Sequence, residues 1–275
     1  MNTTKPSDLS VAIETITMAG LSVLHSTPTH KRSEHPIVMV HGMWCVGAVW
    51  KPLMIALTLL GYECYAITLR GHGDSKQVQD LGKVSINDYI TDVELFLLEL
   101  NQQVILIGHS MGELIAGQVA GRNPSQVVAH VGLTSAPPRG IMMGIRMAIR
   151  MPKYLFRIFF GKTLTLSESD ARNLLYNTIS PEAAEKLIAD MVPESGTAAR
   201  EITVWKFTFR RLMCPALVIG GRRDVLTPNQ SALAERLGAD YVTVDTSHML
   251  MNDPNTASVV QTIHAWLTQK LTLAN

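Results

Sequence analysis

This chain has little material for disulfides, cysteine-bound metal or a membrane span. Its 275 residues include three cysteines, Cys45, Cys64 and Cys214. An odd count without a C-x-x-C pair argues against a disulfide framework or a zinc site and leaves these residues as small apolar side chains of a reducing compartment. No run approaches the ~18 apolar residues that a bilayer span requires, and residues 1–8 lack the apolar stretch of a secretory leader. A soluble, cytoplasmic protein is the expectation. An excess of one charge is also missing: 24 Lys and Arg against 23 Asp and Glu leave a net charge of +1, so there is no global attraction to nucleic acid. Internal repeats and low-complexity tracts are absent. With 47% apolar and 17% charged residues, the chain can bury one large core, with room for a small accessory domain.

What is present is an alternation. Residues 13–17 and 21–24 flank Ala19-Gly20 and read as an opening hairpin. Short apolar runs at 37–40, 62–67, 104–107, 127–133, 216–219 and 241–244 read as strands. Helical patterns at about 47–60, 85–100, 113–120, 230–237 and 256–271 lie between and after them, and Ser85 with Asp88 supplies a capping signal. Such an order specifies an α/β protein with a mostly parallel central sheet covered by helices on both faces. The alternation lapses over 137–211, where only helical patterns occur, broken by Pro152, Gly161, Pro181 and Pro193. A helical block spliced between two parallel strands falls naturally over the carboxyl edge of the sheet, where open α/β sheets hold ligands. The expected division is a core of 1–136 and 212–275 and a helical cap of 137–211.

The most specific feature is Gly108-His109-Ser110-Met111-Gly112. It follows the continuous β-branched run Val104-Ile105-Leu106-Ile107 and opens a helical segment that stops at Asn123-Pro124. Strand, G-x-S-x-G, helix is the context of a nucleophile elbow, in which a sharp turn exposes a serine hydroxyl beside free helix N–H groups. Serine needs a base, usually a histidine oriented by a carboxylate. Asp224 lies directly beyond the 216–219 strand and His248 directly beyond the 241–244 strand, so both leave the same sheet edge as the elbow. Asp245 also follows a strand but sits only three positions from His248, and it reads as structural. His130 and His264 fall inside elements and read the same way. The backbone N–H of Met111 and that of Met43, in His41-Gly42-Met43-Trp44 after the 37–40 strand, are the candidate oxyanion donors.

These residues together resemble the α/β-hydrolase superfamily, and the match runs from His41-Gly42 through Arg70-Gly71-His72-Gly73-Asp74-Ser75 and the elbow to Asp224 and His248. The resemblance implies a Ser-His-Asp serine hydrolase of carboxylic esters, similar to esterases and to lysophospholipase or monoacylglycerol-lipase types, working without metal or organic cofactor. Thioesterase, lactonase or carbon–carbon hydrolase activity on the same triad stays open, as does a ligand-binding receptor with slow turnover. One departure is Glu113, where many relatives carry a second glycine; it is expected to point away from the oxyanion or to pair with an arginine.

The stretch 138–160 holds four methionines, five basic residues and no acid. It reads as an adaptable roof over an apolar acyl chain, with Trp44, His109, Met142, Met143, Met147 and Met249 as candidate substrate contacts. Its basic face would suit an anionic head group or a transient contact with a membrane surface. Oligomeric state is not legible. Pro152 should divide the stretch into two helices.

Overall fold

The computed structural model describes residues 11–272; residues 1–10, which include the start examined for a leader, and 273–275 lie outside that description. One sheet contains β1 (Glu14–Met18), β2 (Leu21–Ser26), β3 (Ile37–Val40), β4 (Cys64–Ile67), β5 (Val104–His109), β6 (Val127–Leu133), β7 (Ala216–Gly221) and β8 (Asp240–Val244). Their spatial order is β1-β2-β4-β3-β5-β6-β7-β8. The hairpin β1–β2 and its junction to β4 are antiparallel, and every other pairing is parallel.

The short apolar strands are buried on both sides because the side-chain period of two divides them between two cores. Ile37 and Met39 of β3 face one core with Trp50 and with Leu53 of α1 (Lys51–Leu59) and Ile263 of α10 (Thr256–Thr272). Val38 and Val40 face the other, with Tyr89 and Phe96 of α2 (Ile86–Leu100), Ile115 of α3 (Met111–Arg122) and Leu233 of α9 (Gln230–Leu237). Helix α2 begins with a complete capping box between Ser85 and Asp88, the signal present in the sequence. Cys45 and Cys64 are buried free thiols whose pKa burial pushes up to about 12. No described helix is long and apolar enough to cross a membrane.

Between β6 and β7 the chain leaves the sheet for α4 (Ile145–Arg150), α5 (Leu155–Phe159), α6 (Glu168–Leu174), α7 (Pro181–Ala189) and α8 (Gly196–Thr203). A 3₁₀ turn carrying Pro152 separates α4 from α5. This insertion is pinned to the sheet through the Arg70–Ser75 loop, which is a scaffold. Arg70 grips the buried Asp92 carboxylate through Nε and Nη2 at 2.6 and 2.7 Å. The neighbouring His72 Nε2 lies 3.3 Å from Glu194 Oε2, both side chains being fully buried. Glu194 belongs to the insertion and also accepts from Tyr89 Oη at 2.7 Å and from the Ser195 N–H at 2.6 Å. A second pin comes from Trp44, whose indole donates to the Leu164 carbonyl and whose own carbonyl accepts from the Val192 N–H.

Burial alone would lower the pKa of His72, but the Glu194 carboxylate more than offsets it and leaves it raised. Burial would likewise raise that of Glu194, but His72 and the converging donors hold it low. A raised histidine contributes stability that is complete below its unfolded pKa and lost as pH rises through the folded one. A lowered carboxylate contributes stability above its unfolded pKa that is lost on acidification. The pair is therefore intact between the lowered Glu194 value and the raised His72 value. Glu194→Gln should destabilise the protein by about 3 kcal/mol near pH 5.5. Thermal melts should show the gap from wild type narrowing as pH rises past neutrality; a gap independent of pH would mean that the pair is not ionised.

Candidate active site

Each strand of the parallel set ends at the same edge, so the loops that follow β3, β5, β6, β7 and β8 converge there. After β5 the chain turns at Ser110, whose φ of 54° and ψ of −119° fall where side-chain-bearing residues are rarely found. The turn is possible because α3 crosses β3 almost in contact. A Cβ on Gly112 would lie 2.2 Å from the Val40 carbonyl oxygen and 2.4 Å from that of His41. The turn is held by the Ser110 N–H on the Leu133 carbonyl at 3.0 Å and the Ala136 N–H on the Ser110 carbonyl at 2.9 Å. Met111 opens α3, so its N–H is one of the first-turn donors that no intrahelical carbonyl can reach. Among the hydrogen bonds of the described residues none comes from the Ser110 hydroxyl, which faces a cavity.

His248 lines the same cavity, and its Nδ1 lies 3.0 Å from Asp224 Oδ2. The second carboxylate oxygen of Asp224 accepts from the Leu226 and Thr227 N–H groups, and Oδ2 also accepts from the Thr227 hydroxyl at 2.7 Å. Burial pushes the Asp224 pKa up, yet His248 and these donors overcome it and hold it below the ordinary value. A carboxylate that already has three other donors and no proton to give accepts the Nδ1 proton of the imidazole, which leaves the lone pair on Nε2. Asp245, the competing acid, is exposed and pairs with Arg223 at 3.0 Å.

The loop after β3 is shaped by His41, buried and with its pKa lowered to about 4 by burial and by His72. Its Nδ1 donates to the Gly42 carbonyl and its Nε2 accepts from the Leu69 N–H. Met43 and Trp44 follow in that loop, and both line the cavity, as do His109, Met143, Met147 and Met249. Leu226, Met151, Tyr154, Ile158 and Ala199 complete a wall that is almost wholly apolar and is built jointly by the sheet edge and the insertion. Met142 departs from the expected set: it is 60% exposed and does not line the cavity, because the 141–144 segment turns Met143 inward instead. His109 touches the cavity, but its Nε2 donates to the His248 carbonyl. Burial and the neighbouring His248 push its pKa down to about 3, so it works as a neutral buttress of the His248 loop.

Glu113 has a partner, and it is not the expected arginine. Its carboxylate is fully buried against β6, with His130 Nε2 3.1 Å from Oε1 and 2.9 Å from Oε2. A Cβ on Gly132 would sit 2.6 Å from that carboxyl carbon, so β6 makes the space for it. Burial pushes the Glu113 pKa up and His130 opposes this only in part.

A model described as the alpha/beta hydrolase family matches residues 37–260. The chain belongs to the alpha/beta hydrolase family. It is 26% identical over 72% of its length to a Synechocystis protein provisionally named a non-heme chloroperoxidase, of which the match spans 77%. It is 30% identical to the pimeloyl-[acyl-carrier protein] methyl ester esterase of Aliivibrio salmonicida over 37% of this chain and 36% of that one. Among solved hydrolase structures, the monoacylglycerol lipase of Paleococcus ferrophilus superposes with a TM-score of 0.68 at 22% identity, over 95% of this chain and 99% of that one. That likeness is one of fold.

Several residues that shape the site carry no motif in the sequence. Thr134, at φ 39°, donates its hydroxyl to the His248 carbonyl at 2.9 Å. Gln230 holds the loop after β6 by accepting from the Ser135 N–H and donating to its carbonyl. Asp253 accepts from the Ser247 N–H and hydroxyl and from the Thr178 hydroxyl. Each acts across a gap in sequence. In this hydrolase scaffold Gly112 brings α3 against two backbone carbonyls at the end of β3, so Gly112→Ala should cost about 3 kcal/mol or more through overpacking against backbone. Soluble yield and melting temperature check this; an unchanged melting temperature would mean that α3 can slide off β3.

Proposed function

We propose that the protein is a serine hydrolase of carboxylic esters with an apolar acyl part. In this reading residues 137–211 are a cap on a core of 1–136 and 212–275, Ser110 is the nucleophile, His248 the general base and Asp224 the carboxylate that orients it. The observation that carries the reading is the meeting at one apolar cavity of a serine in a strained backbone conformation and an imidazole whose far nitrogen is fixed by a buried carboxylate. The methyl ester esterase among the relatives supports the same class of substrate.

The chemistry follows from those positions. His248 Nε2 takes the Ser110 proton as Oγ bonds to the ester carbonyl carbon, and the carbonyl oxygen gains the negative charge. The N–H groups of Met111 and Met43 receive that oxyanion, and preorganised donors of this kind are worth more in a water-poor cavity than in solution. As the tetrahedral centre collapses, the carbon–oxygen bond to the leaving alcohol breaks and His248 returns the proton to it. Water then repeats the sequence on the acyl-enzyme, releasing the acid and restoring Ser110. In unliganded sites the serine–histidine bond is often long and tightens with substrate, which fits a hydroxyl without a protein partner here. Glu113, buried against β6 and bonded to His130, keeps its carboxylate occupied away from the oxyanion.

A series of p-nitrophenyl esters of increasing acyl length tests the proposal. Wild type should gain in kcat/KM with each methylene the cavity buries, by up to about four-fold per group. Ser110→Ala should lose roughly 10⁴-fold or more in kcat, and Asp224→Asn about 10⁴-fold because the imidazole takes the wrong tautomer. Comparable turnover by Ser110→Ala would show that another group attacks.

A further inference from the structure

The active-site cavity uses only the inner side of the methionine-rich, basic stretch after β6. Its outer side carries an apolar surface that none of the described residues covers. Phe156 and Phe159 of α5 are 69% and 68% exposed, and Phe160 and Val204 are 50% and 62% exposed. The rings form one cluster, with centroids 4.8 Å apart for Phe156–Phe160 and 5.3 Å for Phe159–Phe160. Together with Leu155 and Val204 they line a shallow groove. Ile158 and Thr203 line both this groove and the Ser110 cavity, so a wall of two side chains separates them. A contiguous exposed apolar patch of this kind marks a contact surface.

The charge of the chain segments that build it narrows the occupant. Residues 137–167 contain six basic side chains and no acid. Asp170 pairs with both Arg150 and Lys153 and offsets one of their two charges. Arg146, Arg157, Lys162 and Arg200 have no carboxylate partner among the described residues, and Arg200 lines the groove itself. A second copy of the chain would have to bring these cations against their own images across a two-fold axis. A bilayer with anionic head groups satisfies both features, since phenyl rings enter the acyl boundary while guanidinium and ammonium groups meet phosphate.

We infer that the α5 face docks on an anionic phospholipid surface, so that a lipid-like ester reaches Ser110 across Ile158 and Thr203. The docking stands on the surface alone; the delivery rests on the proposed hydrolase reading. Sedimentation of the full chain with phosphatidylcholine vesicles, with and without added phosphatidylglycerol, tests it. Wild type should bind the anionic vesicles and release as salt is raised. Phe156→Ser with Phe159→Ser should weaken binding at least about ten-fold, and Arg146→Gln and Lys162→Gln about five-fold each. All these variants should hydrolyse a short water-soluble ester at the wild-type rate, which shows that they fold. Ser110→Ala should bind vesicles as wild type does, so failure of the hydrolase reading is separable from failure of docking. Absence of wild-type binding, equal binding to the uncharged vesicles, or full binding by the double phenylalanine variant overturns the inference. So does a dimer, seen by analytical ultracentrifugation, that the phenylalanine substitutions dissolve.

Discussion

The site depends on how closely one helix can approach one strand. With Gly112 pressed on the Val40 and His41 carbonyls, α3 has nowhere to go except directly up from the end of β5. The chain must reverse within a single residue, and the cost falls on Ser110, which adopts a conformation few side chains tolerate. Exposure of the hydroxyl, the first-turn N–H of Met111 and the direction of the helix dipole are all set by that crossing. The carbonyl of Ser110 then fixes Ala136, and the loop after β6 in turn fixes His248 through Thr134.

Around the elbow the polar groups are arranged so that each imidazole has one use. His41 stays neutral and shapes the loop carrying Met43, and His109 stays neutral and braces the His248 backbone. His72 is the one drawn toward its charged form, and it serves the junction with the insertion. His130 meets Glu113 beneath the elbow. Only His248 presents its ring to the cavity with a buried carboxylate behind it. Burial or an assigned bond keeps each of the neighbouring histidines out of that arrangement.

Much of this was legible in the chain because it is local. The runs at 37–40 and 127–133 and the helix at 230–237 coincide with their elements, since continuous β-branched runs and capped amphipathic segments leave few alternatives. The convergence of Ser110, Asp224 and His248 followed from strand ends sharing an edge. What escaped prediction is nonlocal. The partner of Glu113 lies on β6 and needs the bare Cα of Gly132; nothing near Glu113 hints at it. The tie from His72 to Glu194 joins loops far apart in sequence, and Thr134, Gln230 and Asp253 are ordinary polar residues until the loops meet. Met142 and Met143 are adjacent and chemically alike, so only the local turn decides which one faces inward.

Four of the residues that pin the insertion, Trp44, Leu164, Val192 and Glu194, lie outside α4 and α5, while the Gly144 N–H on the Leu226 carbonyl and the Lys83 ammonium on the Phe160 carbonyl hold the ends of that stretch. Those two short helices supply Met147 and Ile158 to the cavity wall, yet none of the clamp residues belongs to them. Shape of the binding wall and mechanical attachment are thereby encoded in separate stretches of chain. A directed-evolution library confined to 145–159 can re-sculpt the wall while the anchor and the sheet-edge chemistry stay untouched, which makes this segment the natural place to retune selectivity.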